Sequence, residues 1–280
     1  MAKPDTRKGI ERDIVRSVIK AFRILESFSD IRTDRTVAEI ARAAGCDRGV
    51  AYRMVMTLEH LGYLERGRAE KTYRLALKCM DLGLNALAGL DIRAIANPKL
   101  RDLVPEFADA ASLAVLDGAE VVYIDRVEEN LTRLGLVRRI GSRIPVYGTA
   151  VGFALLSHLP RERRISILGA AERVKLSERT VTDLSEILEI LEETAARGYA
   201  ISDQQNAFGL RSLAAPIVDA DGYAIASISA TVASERMDME AFQKLTAPKL
   251  LETVAEISKA TQALSAVGLP FDPSGVSQRE

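Results

Sequence analysis

Arginine and tyrosine side chains stand at the start of one predicted helix, where Asp47 is followed by Arg48, Gly49, Tyr52 and Arg53. An arginine can donate two parallel hydrogen bonds to guanine O6 and N7, and it can also bind a phosphate. Gly49 has no side chain, so the helix backbone can approach another surface closely. This set is typical of a helix that enters the major groove of DNA with its N-terminal residues towards the base edges.

A second group of cations lies on a predicted β-hairpin, at Arg66, Arg68 and Lys71. We expect these side chains to meet phosphates or the minor groove. Thr36, at the start of the preceding helix, completes the candidate DNA contacts.

The same pattern has another interpretation. Two short helices with solvated charges can also pack against a second protein, and Arg53 could form an ion pair with Glu59 or Glu65 instead of binding DNA.

Motifs of catalysis are missing from the sequence. The chain has two histidines, His60 and His158, and two cysteines, Cys46 and Cys79, without metal-ligand spacing. It contains no glycine-rich nucleotide-binding motif, P-loop or nucleophile elbow. We therefore expect no enzyme activity, no metal and no cofactor. Two alternatives stay open: an enzyme that acts on a small organic acid and carries a helix-turn-helix, or a protein-binding module without a DNA role.

Length and charge favour two domains of different character. The chain has 280 residues, and residues 1–75 hold 16 Lys and Arg against 11 Asp and Glu, although the net charge of the whole chain is −1. A basic first part is typical of a nucleic-acid-binding module. No apolar run reaches the ~18 residues that span a membrane, and the start has no apolar segment of a signal peptide. We expect a cytoplasmic protein.

The elements that position the basic residues can be predicted from caps and periodicity. Apolar residues at helical spacing predict a helix over 13–28 capped by Asp13. Thr36 and Glu39 form a capping-box pattern before a helix over 37–44. Gly45 ends that helix, and Asp47 starts the next one, which runs to about Leu61. Further predictions for this part are strands over 63–66 and 72–75 around a turn, and a helix over 77–90.

The rest of the chain mixes strands with helices. Strands are predicted over 112–117, 120–128, 133–139, 211–219 and 223–233, and helices over 92–110, 147–158, 161–169, 183–197 and 238–264. Asp117-Gly118 is a hairpin signal. Because hairpins replace regular strand–helix–strand alternation, we predict an α+β fold with a mostly antiparallel sheet flanked by helices.

Four ordered stretches give the chain a family resemblance: RSVIKAFRILESF, TVAEIARAAGCDRGVAYRMVMTLEHLGYLER, RIGSRIPVYGTAVGFALLS and GYAISDQQNAFGLRSLAAPIVDADGYAIASISAT. Together they resemble the IclR family of bacterial transcription regulators over about 13–265. The resemblance implies a winged helix-turn-helix, a linker helix and a C-terminal GAF-like domain that binds a small organic acid. It also implies homodimers, often paired into tetramers, on palindromic double-stranded operator DNA.

These implications define the domain boundaries that we predict. The expected parts are a disordered tail over 1–12, a winged helix-turn-helix over 13–76, a linker helix over 77–90, an effector-binding domain over 91–266 and a flexible tail over 267–280.

One departure from the family concerns the second helix. Many members have Ser-Thr where this chain has Gly49 and Val50. The arginine followed by small residues, together with GLRSLAAPI, resembles the branch that regulates aromatic-acid catabolism, which includes protocatechuate, hydroxybenzoate and hydroxyphenylpropionate regulators. The effector, the operator and the choice between repression and activation do not follow from the sequence.

The resemblance also implies the effector-binding residues, which are Tyr147, Gly148, Thr149, Asp203, Ser212 and Ser229. Serine hydroxyls can donate to a carboxylate, and a helix start near Gly148 and Thr149 favours an anion. Asp203 is harder to reconcile with an anionic ligand and would bind a hydroxyl or orient another donor. Arg143 and Arg211 could bind a carboxylate, but structural ion pairs are the better expectation for them.

Overall fold

The computed structural model describes residues 14–29, 33–88, 92–129, 131, 138–170 and 172–266, and it divides into two units, Met1–Ala88 and Gly89–Glu280. The helices of the first unit are α1 (Arg16–Glu26), α2 (Val37–Ala44), α3 (Arg48–His60) and α4 (Cys79–Ala88). Its strands are β1 (Arg35–Thr36), β2 (Leu64–Arg66) and β3 (Thr72–Leu75).

The predicted turn between α2 and α3 is confirmed in its details. The Thr36 hydroxyl accepts a hydrogen bond from the backbone N–H of Glu39, and the Glu39 carboxylate accepts one from the backbone N–H of Thr36. Gly45 ends α2 with φ 63°, a left-handed conformation that glycine adopts without steric cost. Asp47 caps α3 through Val50 N–H. These caps fix where the exposed start of α3 lies.

Two details of the first unit differ from prediction. α1 begins after Val15, which offers no side-chain cap, and Asp13 lies outside the described residues. The polar segment before α2 contains β1, which pairs antiparallel with β3, so the sheet order is β1-β3-β2. A two-residue strand depends on its distant partner and leaves no local pattern in the sequence.

A small core joins the helices of the first unit to its sheet. Its buried members come from α1, α2, α3 and the hairpin: Ile24, Ile40, Ala44, Val55, Leu58, Leu64 and Tyr73. The N-terminal half of α1 does not join this core, since Val18 and Ile19 are 51% and 39% exposed. The helix is therefore held by its C-terminal half.

The second unit contains the helices α5 (Ile92–Leu103), α6 (Ala150–Leu156), α7 (Arg161–Gly169), α8 (Leu184–Arg197) and α9 (Met239–Ala266). Its strands are β4 (Ala110–Asp117), β5 (Glu120–Glu128), β6 (Arg143–Pro145), β7 (Ala200–Asp203), β8 (Leu210–Val218) and β9 (Ala224–Ala233).

One antiparallel sheet organises this unit, in the order β6-β5-β4-β9-β8-β7. The Asp117-Gly118 hairpin is confirmed, and so is the α+β class with a mostly antiparallel sheet. α6 packs on the face that carries Ala114, Tyr123 and Ala214. α5 and α9 also pack on the sheet.

Several predicted bounds in the second unit were wrong. The helix predicted over 92–110 ends at Leu103, because Asp109 N–H donates to Thr231 C=O and Ala110 starts β4 beside β9. The short edge strands β6 and β7 were not predicted. The strand predicted over 133–139 falls mainly on residues outside the described part of the chain. Within the described part, no helix is long and apolar enough to cross a membrane.

Candidate functional site

A groove on the first unit brings together the start of α3, the start of α2 and the hairpin. Its volume is about 780 Å³, and its lining residues are Thr36, Val37, Ala38, Arg48, Gly49, Tyr52, Arg66, Lys71 and Tyr73. Six of these nine residues were predicted from the sequence as DNA contacts. Val37, Ala38 and Tyr73 were not, because only the fold brings them to this surface.

The groove is positively charged. Arg48, Arg66 and Lys71 line it, and none of the described lining residues is acidic. Arg48 and Tyr52 are exposed one turn apart on α3, so both side chains are free to meet another molecule. The partial positive charge of the α3 N-terminus adds to the side-chain charges. An anionic chain such as a nucleic-acid backbone is the natural occupant of such a surface.

Asp47 is the carboxylate next to this groove, and it serves the backbone of α3. Its Oδ1 accepts the Val50 N–H at 2.9 Å. That hydrogen bond lowers the pKa of the Asp47 carboxyl, so the cap stays ionised at neutral pH. A Cβ on Gly49 would lie 3.3 Å from Asp47 Oδ1, which is a tight contact. Glycine therefore leaves the cap undisturbed and the first turn of α3 open.

Arg66 is fixed in place across the groove. Its Nε lies 2.7 Å from Glu59 Oε1 on α3, and its guanidinium lies 4.5 Å from the centre of the Tyr73 ring. Burial raises the pKa of Tyr73, with the Arg66 charge acting in the opposite direction. The ion pair joins the hairpin to α3, so Arg66 also positions the hairpin.

Two predicted DNA contacts lie elsewhere. Arg53 lines a second groove, of about 570 Å³, between α1 and α3. Arg68 lines neither of these two grooves, and its backbone N–H donates to Asp34. The alternative ion pairs of Arg53 are not formed either, because Glu59 pairs with Arg66 and Glu65 pairs with Arg74.

In the second unit, three predicted effector residues lie at the start of α6, and each forms a hydrogen bond within the protein. The Thr149 hydroxyl caps α6 by accepting the Gly152 N–H at 3.2 Å. The Tyr147 hydroxyl accepts the Val174 N–H at 3.1 Å, and the Gly148 carbonyl accepts the Ser202 hydroxyl at 3.2 Å.

Asp203 lies in an ion-pair cluster. Its carboxylate is 2.7 Å from Arg179 and 2.9 Å from Arg211. Arg143 pairs with Asp117 and Glu120. The expected ion pairs of Arg143 and Arg211 are thus confirmed, and the charge of Asp203 is balanced by two arginines.

Ser212 and Ser229 lie on the same face of the sheet. Ser212 pairs with Thr231, with 2.9 Å between the two hydroxyl oxygens. Ser229 is buried between Ala214 and Ser112 on the neighbouring strands.

A small polar cavity opens on this face, with a volume of about 30 Å³. Its lining residues are Tyr123, Arg126, Leu131, Arg138, Asn206, Leu210, Ser212 and Thr231. Of the predicted effector residues, only Ser212 lines it. The residue that the sequence analysis missed is Arg126, which follows Asp125 in β5 and whose side chain is largely buried.

Arg126 is a largely buried cation of this cavity, with 10% of its side chain exposed. Its Nη1 donates to the Ser112 hydroxyl at 2.7 Å. Its Nε and Nη2 both donate to Glu128 Oε2, at 2.8 and 2.6 Å. These bonds hold the guanidinium at one edge of the cavity.

Tyr123 supplies a hydroxyl beside the two arginines. Burial raises the pKa of this phenol, while the charges of Arg138 and Arg126 oppose the shift. At neutral pH the side chain is therefore an uncharged donor. Among the described residues, no cluster of three or more histidine, cysteine or acidic side chains has the arrangement of a metal site.

A winged helix-turn-helix with a basic groove, followed by an α+β domain, is the architecture of a bacterial transcription regulator. The IclR helix-turn-helix domain matches residues 17–68, and the C-terminal domain of the bacterial transcriptional regulator IclR matches residues 84–259. The chain belongs to the IclR family of transcriptional regulators.

Named relatives agree with this assignment. The transcriptional regulator KdgR of Escherichia coli K12 is 32% identical over 256 residues, which are 91% of this chain and 95% of KdgR. The crystal structure of Thermotoga maritima IclR has a TM-score of 0.73 at 29% identity, covering 88% of this chain and 98% of that chain. An IclR homologue of Microbacterium hydrocarbonoxydans, crystallised with 4-hydroxybenzoate, has a TM-score of 0.75 at 26% identity, covering 88% and 99%.

Proposed function

We propose that this chain binds operator DNA through the groove of its first unit, and that a small organic acid bound in the second unit changes its affinity for that DNA. The observation that carries the proposal is the convergence of Arg48, Arg66 and Lys71 on one groove without an acidic lining residue. In this proposal Arg48 and Tyr52 read base edges, and Lys71 neutralises phosphate.

The parts of the chain have separate roles in this proposal. Residues 13–76 bind DNA, 77–90 link, and 91–266 bind the effector, with tails over 1–12 and 267–280. The chain acts as a homodimer, or as a pair of dimers, on a palindromic operator in the cytoplasm. A dimer suits such an operator because each protomer reads one half-site.

An organic acid is the proposed effector for two reasons. The polar cavity on the sheet of the second unit is lined by arginines and hydroxyls, which are donors for an anion. One structural relative was crystallised with 4-hydroxybenzoate, which supports an aromatic acid as one candidate.

The DNA half of the proposal can be tested by fluorescence anisotropy. Purified full-length protein would be titrated into labelled DNA from upstream of its own gene and into unrelated DNA, at 50 and 200 mM salt. We expect tighter binding to the upstream fragment and a loss of affinity with salt, because bound cations release counterions from the DNA. Equal, salt-insensitive affinity for both fragments would refute it.

A further inference from the structure

The polar cavity on the sheet of the second unit combines two arginines with three hydroxyls. One arginine is Arg126, on β5. The other is Arg138, which follows β5 in the sequence. Tyr123, Ser212 and Thr231 provide the hydroxyls. None of the described lining residues is acidic, so the cavity favours an anion over a cation.

The donors of Arg126 are only partly used. A guanidinium has five N–H donors in a planar fork. Each of the three nitrogens already donates one hydrogen bond: Nε and Nη2 to Glu128, and Nη1 to Ser112. Nη1 and Nη2 each carry a second hydrogen, so two donors are available, while Glu128 and Ser112 keep the plane of the fork fixed.

Arg138 adds charge without a carboxylate partner among the described residues. Its one hydrogen bond there runs from Nη2 to the Asn206 side-chain oxygen, at 3.4 Å. Glu128 offsets the charge of Arg126, and the charge of Arg138 is left for a ligand. Arg138 is partly buried, so its charge attracts an anion more strongly than an exposed arginine would, because less water screens it.

The volume of the cavity limits which part of a ligand can enter it. About 30 Å³ is close to the space that one water molecule occupies in the liquid. A carboxylate is only slightly larger than one water molecule, whereas an aromatic ring or a sugar chain is several times larger, so of these groups only the carboxylate suits so small a space. The planar, two-oxygen carboxylate also matches the geometry of a guanidinium.

We propose that Arg126 and Arg138 together bind the carboxylate of the effector acid, with the Tyr123, Ser212 and Thr231 hydroxyls beside it. Leu131 and Leu210 are the apolar lining residues, and they contact the carbon atoms next to the carboxylate. Aromatic and aliphatic acids share this head group. The inference rests on the proposed function, since it specifies how the acid is held.

The test uses three acids and one neutral analogue with the full-length protein. Acetate consists of the carboxylate and one methyl group, 4-hydroxybenzoate carries a ring, and gluconate carries a hydroxylated chain. 4-Hydroxybenzamide keeps the ring but has no charge. Binding would be measured by isothermal titration calorimetry and by the shift of the melting temperature.

We expect at least one acid to bind and the amide not to bind. Arg138→Gln should weaken the binding of that acid by about tenfold or more, the size of a lost charge-assisted hydrogen bond. Arg126→Lys should also weaken it, although it keeps a charge beside Glu128, because lysine lacks the planar fork. Arg139→Gln, an exposed arginine next in sequence and outside the cavity lining, is the matched control and should bind like the wild type.

Three results would overturn this site: no acid binds the wild type at millimolar concentration, the amide binds as well as the acid, or both arginine variants keep full affinity. Circular dichroism of each variant would verify that it is folded. DNA anisotropy on the same preparations separates this failure from failure of the proposed function. Intact DNA binding without an acid site would remove only the inference.

Discussion

Arg48 is the first residue of α3, where its exposed side chain and the helix N-terminus face the same groove. We expect Arg48→Ala to weaken binding to the upstream DNA by about 1–3 kcal/mol, the discrimination that one bidentate contact to guanine provides. Binding to unrelated DNA should change less. Anisotropy titration of both fragments measures the difference.

Arg42→Ala is the control for this prediction. Arg42 is an exposed arginine on α2 in the same unit, outside the lining of the groove. Both variants remove one positive charge from the first unit. Equal losses for the two variants would show that only net charge matters and that Arg48 has no special role.

His158 is the residue with a predicted effect on acid stability. Burial lowers the pKa of its half-buried ring, a hydrogen bond at Ala154 opposes this, and the charge of Arg164 lowers it further. An unfolded histidine gains its proton near pH 6.5. Just below that pH the unfolded chain binds more protons than the folded one, so stability falls as pH decreases through the folded pKa.

His158→Gln should therefore flatten the pH dependence of the free energy of unfolding just below pH 6.5. Urea denaturation followed by circular dichroism at several pH values measures this, with the exposed His60→Gln as control. A slope unchanged in His158→Gln would contradict the assignment.

The residues that line the groove on the first unit were easier to group together from the sequence than those that line the cavity. Arg48 and Tyr52 lie one turn apart on one helix, so spacing alone places them together. Tyr123 and Arg126 are three residues apart on a strand, and strict alternation would put them on opposite faces. The register shift opposite Leu113 and Ala114 brings both to the same face. No local signal in the sequence reveals that shift.

At the scale of elements, caps were the most reliable signals. Thr36 and Asp47 act through the three residues that follow them, so the whole interaction is visible in the sequence. β1 and the end of α5 depend on β3 and β9, which lie far away along the chain. Such pairing overrides local preference and explains these errors.

The packing of α6 gives a sharp prediction about an element. A Cβ on Gly152 would lie 2.0 Å from the Val146 carbonyl oxygen, and backbone atoms cannot yield as a flexible side chain can. We expect Gly152→Ala to destabilise the second unit by about 3 kcal/mol, the upper end of the usual cost of overpacking, measured by urea denaturation.

Gly83→Ala is the matched control on another helix. Nothing lies within 4 Å of a Cβ on Gly83 in α4. This change should raise stability by about 0.5–1 kcal/mol, because alanine favours the helix and loses less backbone entropy. A similar effect of the two substitutions would show that contact with Val146 is not what requires glycine at position 152.

At the scale of the whole molecule, the proposed function requires that the binding of DNA and the binding of the acid are coupled. If the acid changes affinity for DNA by some factor, then DNA must change affinity for the acid by the same factor. The acid can do this only by binding two states of the protein with different affinity. A nucleic-acid-binding role for the first part of the chain was predicted from its charge. The coupling depends on both units, so it leaves no signal in the sequence.

The most direct test of the account is the affinity of the wild-type protein for its upstream DNA, measured by anisotropy across a titration of each acid at fixed salt. We expect at least one acid to change the dissociation constant by about fivefold or more, a typical coupling. We also expect that Arg138→Gln requires at least tenfold more acid for the same change. Specific DNA binding that no acid alters would contradict the central claim.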